Sequence, residues 1–273
     1  MPSPIPPDRI DSDKWQDWIA RLIPMCLITI LTLALPKLLI PSISIAELGA
    51  RERQTIQQKI RSISIKVIAH SKTIGSGILF AKQGNIYTVA TNAHVLQSDS
   101  APFQLQTHDG QIYAAALVTA PLKQNRDLSL LKFQSFDRIY NIAKLATTSP
   151  KVGDKVWACG FPLDPKTITA QPAVAPWGLT IADGKITDIL PVAISGGYNI
   201  GYDNSIRKGM SGGALVNSNG ELVGMNGVHA EPLWNTADLL ENGSAVSDVM
   251  QDRINNSSWA IPTQFIKNYV GAD

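Results

Sequence analysis

Cysteine is nearly absent: Cys26 and Cys159 are the only two in 273 residues. They form no disulfide framework and no thiolate cluster, and Cys159, in the run VWACG, reads as a small buried apolar side chain. Histidine is equally scarce, and His70, His94, His108 and His229 do not fall at metal-ligand spacings. Neither a metal nor a cofactor is therefore expected. Charge is sparse as well, at 17% of residues with a net charge of +2. The basic residues are scattered and no basic run lies among aromatics, which argues against a nucleic-acid partner. Residues 22–40, LIPMCLITILTLALPKLLI, are apolar but interrupted by Pro24, Pro36 and Lys37. The part before Pro36 has signal-peptide length and follows Lys14 and Arg21, yet no A-x-A cleavage site stands behind it. A signal peptide and an uncleaved membrane anchor both fit. Arg9, Lys14 and Arg21 before the segment are matched by Lys37, Arg51 and Arg53 after it, so flanking charge sets no orientation. On this account the protein is exported, either periplasmic or held at a membrane with its main domain outside the cytoplasm.

Apolar residues make up 44% of the chain, with 20 glycines and 17 prolines, the composition of a globular, turn-rich protein. Residues 1–21 form a flank and 41–61 a linker with a short helix over 46–60. From residue 62 the pattern changes period. SISIKVIA, SGILFA, IYTVAT, FQLQTH, QIYAAALVTA and LSLLKF are short β-rich runs, separated by turn signals such as KTIGSG and KQGN. Residues 134–150 read as a connection between lobes. KVWACG, ITAQPAVA, KITDIL, GALVNS, ELVGMNGV and SSWAIP resume the pattern, and TQFIKNYV closes it as a helix over 263–270. Many short strands in two halves predict an all-β fold of paired barrels, one over about 62–145 and one over about 150–262. Residues 229–257 are too long for a hairpin loop and are expected to be an ordered excursion or flap. Asp238, Glu241 and Asp248 within it match no calcium-loop spacing and read as a solvated acidic face.

In GMSGGALV, Ser211 is set among Gly209, Gly212 and Gly213, just before an apolar run. A serine hydroxyl is a poor nucleophile at neutral pH unless a neighbouring base takes its proton. A histidine can do so, provided a buried carboxylate holds its tautomer. His94 ends an apolar strand in VATNAHVLQ, and Asp127 precedes an alternating strand in NRDLSLLKF. Each is ordinary alone; together they supply a nucleophile, a base and an orienting acid.

The runs TNAHV, RDLSLLK and GMSGGALVNSNGELVGMN resemble the chymotrypsin/trypsin-like serine protease superfamily, in the bacterial branch that includes the periplasmic HtrA proteases. IGSGILF, GDKVWACGFP and WAIP are softer matches, and together these cover about residues 65–270. The chain order His, Asp, Ser is that of this superfamily. The resemblance implies two packed six-stranded antiparallel barrels within a protease domain over 62–273, and a serine endopeptidase acting on protein or peptide substrates through an acyl-enzyme. It implies Ser211 as nucleophile, His94 as general base and acid, Asp127 as orienting carboxylate, and the N–H groups of Gly209 and Ser211 as an oxyanion hole. Ser205 would form the base of the primary pocket and Asn226, Gly227 and Val228 its wall. No aspartate stands at the pocket floor, so a small or apolar P1 residue is expected ahead of an acidic one.

Two departures stand out. Met210 occupies the position where digestive relatives carry an aspartate that pairs with a new N-terminus, and where HtrA-type relatives usually carry asparagine. The chain also ends directly after the closing helix, so no PDZ domain is expected behind it. The alternative reading is a catalytically latent trypsin-like domain that binds peptides or acts as a scaffold.

Overall fold

The computed structural model describes residues 45–118, 126–163, 178–228 and 240–270. Residues 22–40, the run ITAQPAVA, His229, Glu231 and Asp238 lie outside them. Leu48–Asp273 form one compact unit; of the other, Met1–Glu47, only residues 45–47 are described.

Helix α1 (Ile45–Ile63) carries Glu47 in its first turn and Arg61 in its last, charges that oppose the helix dipole favourably. Ile56, Ile60 and Ile63 recur at helical spacing and are buried in one cluster with Trp157, Cys159, Val216 and Leu222. Lys59 closes the contact by donating to the Asn219 carbonyl at 2.9 Å.

Barrel one is built from β1 (Ser64–Ala69), β2 (Lys72–Gln83), β3 (Ile86–Thr91), β4 (Phe103–Gln106), β5 (Ile112–Leu117) and β6 (Ser129–Gln134). It closes in the order β1-β2-β3-β6-β5-β4. Barrel two is built from β7 (Lys155–Gly160), β8 (Thr180–Ile194), β9 (Tyr198–Tyr202), β10 (Ala214–Asn217), β11 (Leu222–Val228) and β12 (Ser258–Pro262). It closes as β10-β11-β12-β9-β8-β7. Every pairing in both barrels is antiparallel. The expected fold, two six-stranded antiparallel barrels with a C-terminal helix, is therefore the observed one. Alternation works as the period of two demands: Ile65, Val67 and Leu79, Val89 turn into the barrel-one core with Leu105 and Leu131.

Three elements differ from the sequence expectation. KITDIL is part of a much longer strand, the 15-residue β8, which bends through register shifts against β9. Strand β9 is not among the expected runs, because YNIGY, although Tyr198, Ile200 and Tyr202 alternate with Asn199 and Gly201, is only five residues long and follows two glycines. The excursion after residue 228 contains helix α3 (Asp248–Asn255), capped by Ser247, whose hydroxyl accepts the Met250 N–H at 3.4 Å. Ile254 is buried beneath it and its carbonyl accepts the indole N–H of Trp259, itself fully buried. The closing helix α4 (Thr263–Val270) buries Ile266 in the same cluster as Met225 and Ile261.

Candidate active site

Strand β3 ends in Thr91-Asn92 and turns at once into the short helix α2 (Ala93–Gln97), whose Val95 and Leu96 are buried. That burial leaves His94 facing outward with its side chain one-third exposed. Asp127 lies just before β6, anchored by fully buried Leu128 and by its own N–H, which bonds to the Gly196 carbonyl of the β8–β9 turn at 3.0 Å. Barrel two thus helps place a residue of barrel one. Asn92, also fully buried, donates to the Asp127 main-chain carbonyl at 2.9 Å.

His94 and Asp127, 33 positions apart, meet here. The Asp127 carboxylate accepts the His94 main-chain N–H through Oδ1 at 2.8 Å and lies 2.5 Å from His94 Nδ1 through Oδ2. Oδ2 also accepts the hydroxyl of Tyr198, from β9. Burial alone pushes the Asp127 carboxyl upward. The hydrogen bond and charge of His94, the Tyr198 hydroxyl and the His94 N–H outweigh it and hold the carboxyl below its ordinary value. Asp127 is therefore a carboxylate near neutrality and can only accept, so the proton it faces sits on His94 Nδ1. In the neutral ring the lone pair is then on Nε2.

Tyr198 had no signal in the sequence, lying 71 positions from Asp127 at the start of β9, just after Gly196-Gly197. It is buried and its own ionisation is pushed well up, first by burial and then by the Asp127 charge. Because the folded-state pKa of Asp127 is depressed, its contribution to stability is present above the unfolded value of about 3.9 and is lost as pH falls through the folded value. Tyr198→Phe removes one of the donors that hold it down, so the acid loss of stability, which starts from the same unfolded value in both proteins, is expected to be smaller in the variant and complete at a higher pH. Above that range the variant is expected to lose about 2 kcal/mol, as for a hydrogen bond to a charged group. Urea unfolding of both proteins between pH 2 and 7 reads the two effects; superimposable profiles would show that the hydroxyl does not act on Asp127.

Ser211 comes from the loop before β10 and is partly exposed. Its hydroxyl donates to the Gly227 carbonyl at 3.2 Å, its only hydrogen bond among the described residues. Gly227 is the bulge residue of β11, between the Asn226–Ala260 and Val228–Trp259 pairs. The neighbouring Met210 is fully buried in a cluster with Tyr202, Ile206, Leu215 and Val223, and its sulfur accepts the Arg207 N–H at 3.4 Å. Apolar burial of this size contributes about 2 kcal/mol, so the loop is moored by packing of this side chain.

Through the loop, the main-chain donors divide cleanly. The N–H groups of Met210, Gly212 and Gly213 bond to the carbonyls of Arg207, Asn226 and Met210 at 3.0, 2.8 and 3.0 Å. The N–H groups of Gly209 and Ser211 bond to nothing among the described residues. Gly209 holds φ +94°, a conformation glycine adopts without strain. Unpaired main-chain donors are rare in a folded loop and call for a function.

The other expected pocket residues are distributed unevenly. Ser205 is exposed in the segment after β9. The Asn226 side chain is fully buried: it donates to the carbonyls of Cys159 and Ala214 at 2.9 and 3.3 Å and accepts the Tyr202 hydroxyl at 2.9 Å. It braces the loop from below and presents no side chain to a cleft, whereas Gly227 and Val228 continue the strand past the end of β10. Glu241 pairs with Arg126 at 3.3 Å and Asp248 sits in the first turn of α3.

A family model described as the trypsin-like peptidase domain matches residues 75–225. Among curated proteins, the chain is 36% identical over 157 residues to the serine endoprotease DegS of Escherichia coli (strain K12), covering 57% of this chain and 39% of that one. It is 33% identical over 155 residues to the periplasmic pH-dependent serine endoprotease DegQ of the same strain, covering 56% and 30%. It is 29% identical over 204 residues to the periplasmic serine endoprotease DegP of Salmonella typhimurium, covering 71% and 34%. The chain thus spans about two-fifths or less of the length of these relatives. A crystal structure of the serine endoprotease from Yersinia pestis superposes with a TM-score of 0.55 at 24% identity, covering 80% of this chain and 64% of that one, a likeness of fold.

Proposed function

The chain belongs to the trypsin-like peptidase domain family, and on that premise we propose that it is a serine endopeptidase cleaving peptide bonds in protein or peptide substrates through an acyl-enzyme. The observation that carries this is the His94–Asp127 pair at 2.5 Å, in a chain where the N–H groups of Gly209 and Ser211 have no partner among the described residues. His94 Nε2 takes the Ser211 proton as the oxygen attacks the carbonyl carbon, and the imidazolium is stabilised by Asp127. The Gly209 and Ser211 N–H groups receive the developing oxyanion. His94 then gives the proton to the leaving amine, and a water activated by the same nitrogen hydrolyses the ester. A substrate strand would add alongside residues 227–228 by main-chain hydrogen bonds. With Ser205 as the pocket floor, a small or apolar P1 residue is favoured.

In the resting state the Ser211 hydroxyl is turned toward Gly227, so attack begins with a rotation of its side chain toward the imidazole. Catalytic hydrogen bonds commonly tighten only in the substrate complex. That same bond is what would favour a latent, peptide-binding domain, and one experiment separates the two. Incubated with a fluorescent fluorophosphonate, the protein is expected to label stoichiometrically at Ser211, identified by peptide mass. A well-folded protein that stays unlabelled would decide for the latent domain.

We further propose that the protein works outside the cytoplasm, periplasmic or membrane-held, in line with the named periplasmic relatives and the apolar segment 22–40. No helix among the described residues is long and apolar enough to cross a membrane, and the proposed anchor lies outside those residues.

A further inference from the structure

Ser76 lies in β2, in the glycine-flanked run Ile74-Gly75-Ser76-Gly77, on the opposite barrel from the nucleophile loop, and is 1% exposed. Its hydroxyl donates to the Gly209 carbonyl at 2.7 Å and accepts the Phe161 N–H at 2.8 Å. Both directions are forced, since a carbonyl can only accept and a peptide N–H can only donate. The hydroxyl proton is therefore aimed at Gly209 and has no alternative. The main chain of Ser76 adds a second hold: its N–H donates to the Ser211 carbonyl at 2.9 Å. The Ser76 carbonyl is in turn fixed by the Thr91 hydroxyl at 2.7 Å.

We propose that Ser76 is a positioning residue for the oxyanion-binding N–H groups of the reaction, resting on Ser211 being the nucleophile. In a trans peptide the C=O and N–H point in opposite directions. The free N–H of Gly209 thus faces away from the Lys208 carbonyl, which is held by the Leu163 N–H at 2.8 Å. The free N–H of Ser211 likewise faces away from the Met210 carbonyl, held by Gly213 at 3.0 Å. Around a glycine, a peptide plane can turn over with little movement of the side chains beside it. Turning the 208–209 plane would bring the Lys208 carbonyl into the place of the N–H and face two donors toward each other at Leu163. Ser76 opposes this at the adjoining plane, where its hydroxyl holds the Gly209 carbonyl. The Phe161–Ser76–Gly209 chain and the Leu163–Lys208 bond tie the two planes to the segment just after β7. Strand β2 of barrel one thereby keeps the site of barrel two open before any substrate arrives.

The test uses the full chain as wild type, Ser76→Ala, Ser76→Thr and Leu163→Pro. Each is reacted with a fluorophosphonate–rhodamine probe, beside a one-dimensional proton spectrum of the low-field His94 Nδ1–H. Loss of one oxyanion donor costs a serine protease about 100- to 1,000-fold, so a donor misaimed but present is expected to cost about 10- to 100-fold. Ser76→Ala should label that much more slowly while keeping the His94 signal, which shows that the base and its carboxylate are intact. Ser76→Thr keeps the hydroxyl and should return the rate toward wild type. Leu163→Pro removes the N–H that holds the Lys208 carbonyl, together with the Leu163 side chain beside Gly209, and should slow labelling in the same way; a wild-type rate here overturns the proposal if Ser76→Ala folds poorly. Wild-type rates in Ser76→Ala, or a slow rate accompanied by loss of the His94 signal in both slow variants, would overturn the role of Ser76. A wild type that does not label overturns the nucleophile assignment itself, so the two failures are told apart.

Discussion

Ser211→Ala is expected to lower kcat by about a millionfold, and His94→Ala by a similar factor, because nucleophile and base act as one unit and losing either forfeits the covalent route. The double variant is then expected to be no worse than either single one. Asp127→Asn should cost about ten-thousandfold. An asparagine in its place offers an amide where the carboxylate now accepts from His94 Nδ1, the His94 N–H and Tyr198. If the amide donates to Nδ1, the ring proton moves to Nε2 and the lone pair that should take the serine proton is gone. Steady-state cleavage of a chromogenic peptide at equal protein concentration, with fluorophosphonate labelling used to count sites in the wild type alone, measures all four. Substantial turnover by Ser211→Ala would place the nucleophile elsewhere. Additive losses in the double variant would mean that Ser211 and His94 do not share a step.

Gly212→Ala is expected to be among the most damaging single-methyl changes at the described glycines. Gly212 has φ +83°, which costs an L-residue about 1–2 kcal/mol. The added Cβ would also fall on the Ser76 carbonyl oxygen, with Thr91 Oγ1 at 2.5 Å. Those two atoms are bonded to each other, and the Ser76 N–H is bonded to Ser211, so the neighbours cannot withdraw separately. Forcing a methyl into a filled space costs a further 1–3 kcal/mol, giving a loss of about 3 kcal/mol or more in all. Thermal unfolding should fall by about 10 °C, using the usual shift for a domain of this size. Activity should drop further than stability does, since the displaced segment carries both unpaired N–H groups. A variant with native melting and native labelling would mean that the loop is far softer than its hydrogen bonds indicate.

Much of the architecture was legible in the strand runs. Barrel one shows six short β-rich runs with turn signals between them, the last, LSLLKF, following Asp127 directly. Barrel two was harder to read. Its β9 contributes Tyr198, Ile200 and Tyr202 to the core or the site but is only five residues long and preceded by Gly196-Gly197, so local propensity argues for a turn. Pairing on both sides, with β8 and β12, overrides that propensity. The long β8 shows the same effect, since its Asp183-Gly184 and Pro191 would end a strand judged alone.

The candidate triad was legible because His94, Asp127 and Ser211 each sit in a short distinctive run and the order of the three is informative. The identities of Asn226 and Met210 were visible, but not what they do. Asn226 stands where a cleft wall was expected, yet its amide is turned inward to brace the carbonyls of Cys159 and Ala214. Met210 is a departure in the sequence and a mooring in the fold.

By itself the sequence determined that this is a two-barrel β protein with a histidine, an aspartate and a serine in the chain order of the trypsin-like family. Those properties are carried by local pattern: alternation, turn residues and short motifs, each readable within about ten positions. Only the tertiary structure decided that Tyr198 shares Asp127 with His94, that the Ser76 hydroxyl points at Gly209, and that the N–H groups of Gly209 and Ser211 have no partner among the described residues. These depend on contacts between residues 71 and 133 positions apart. Hydrogen-bond direction and the facing of a peptide plane are set by which groups closure of the two barrels brings within 3 Å, and no one-dimensional pattern encodes that.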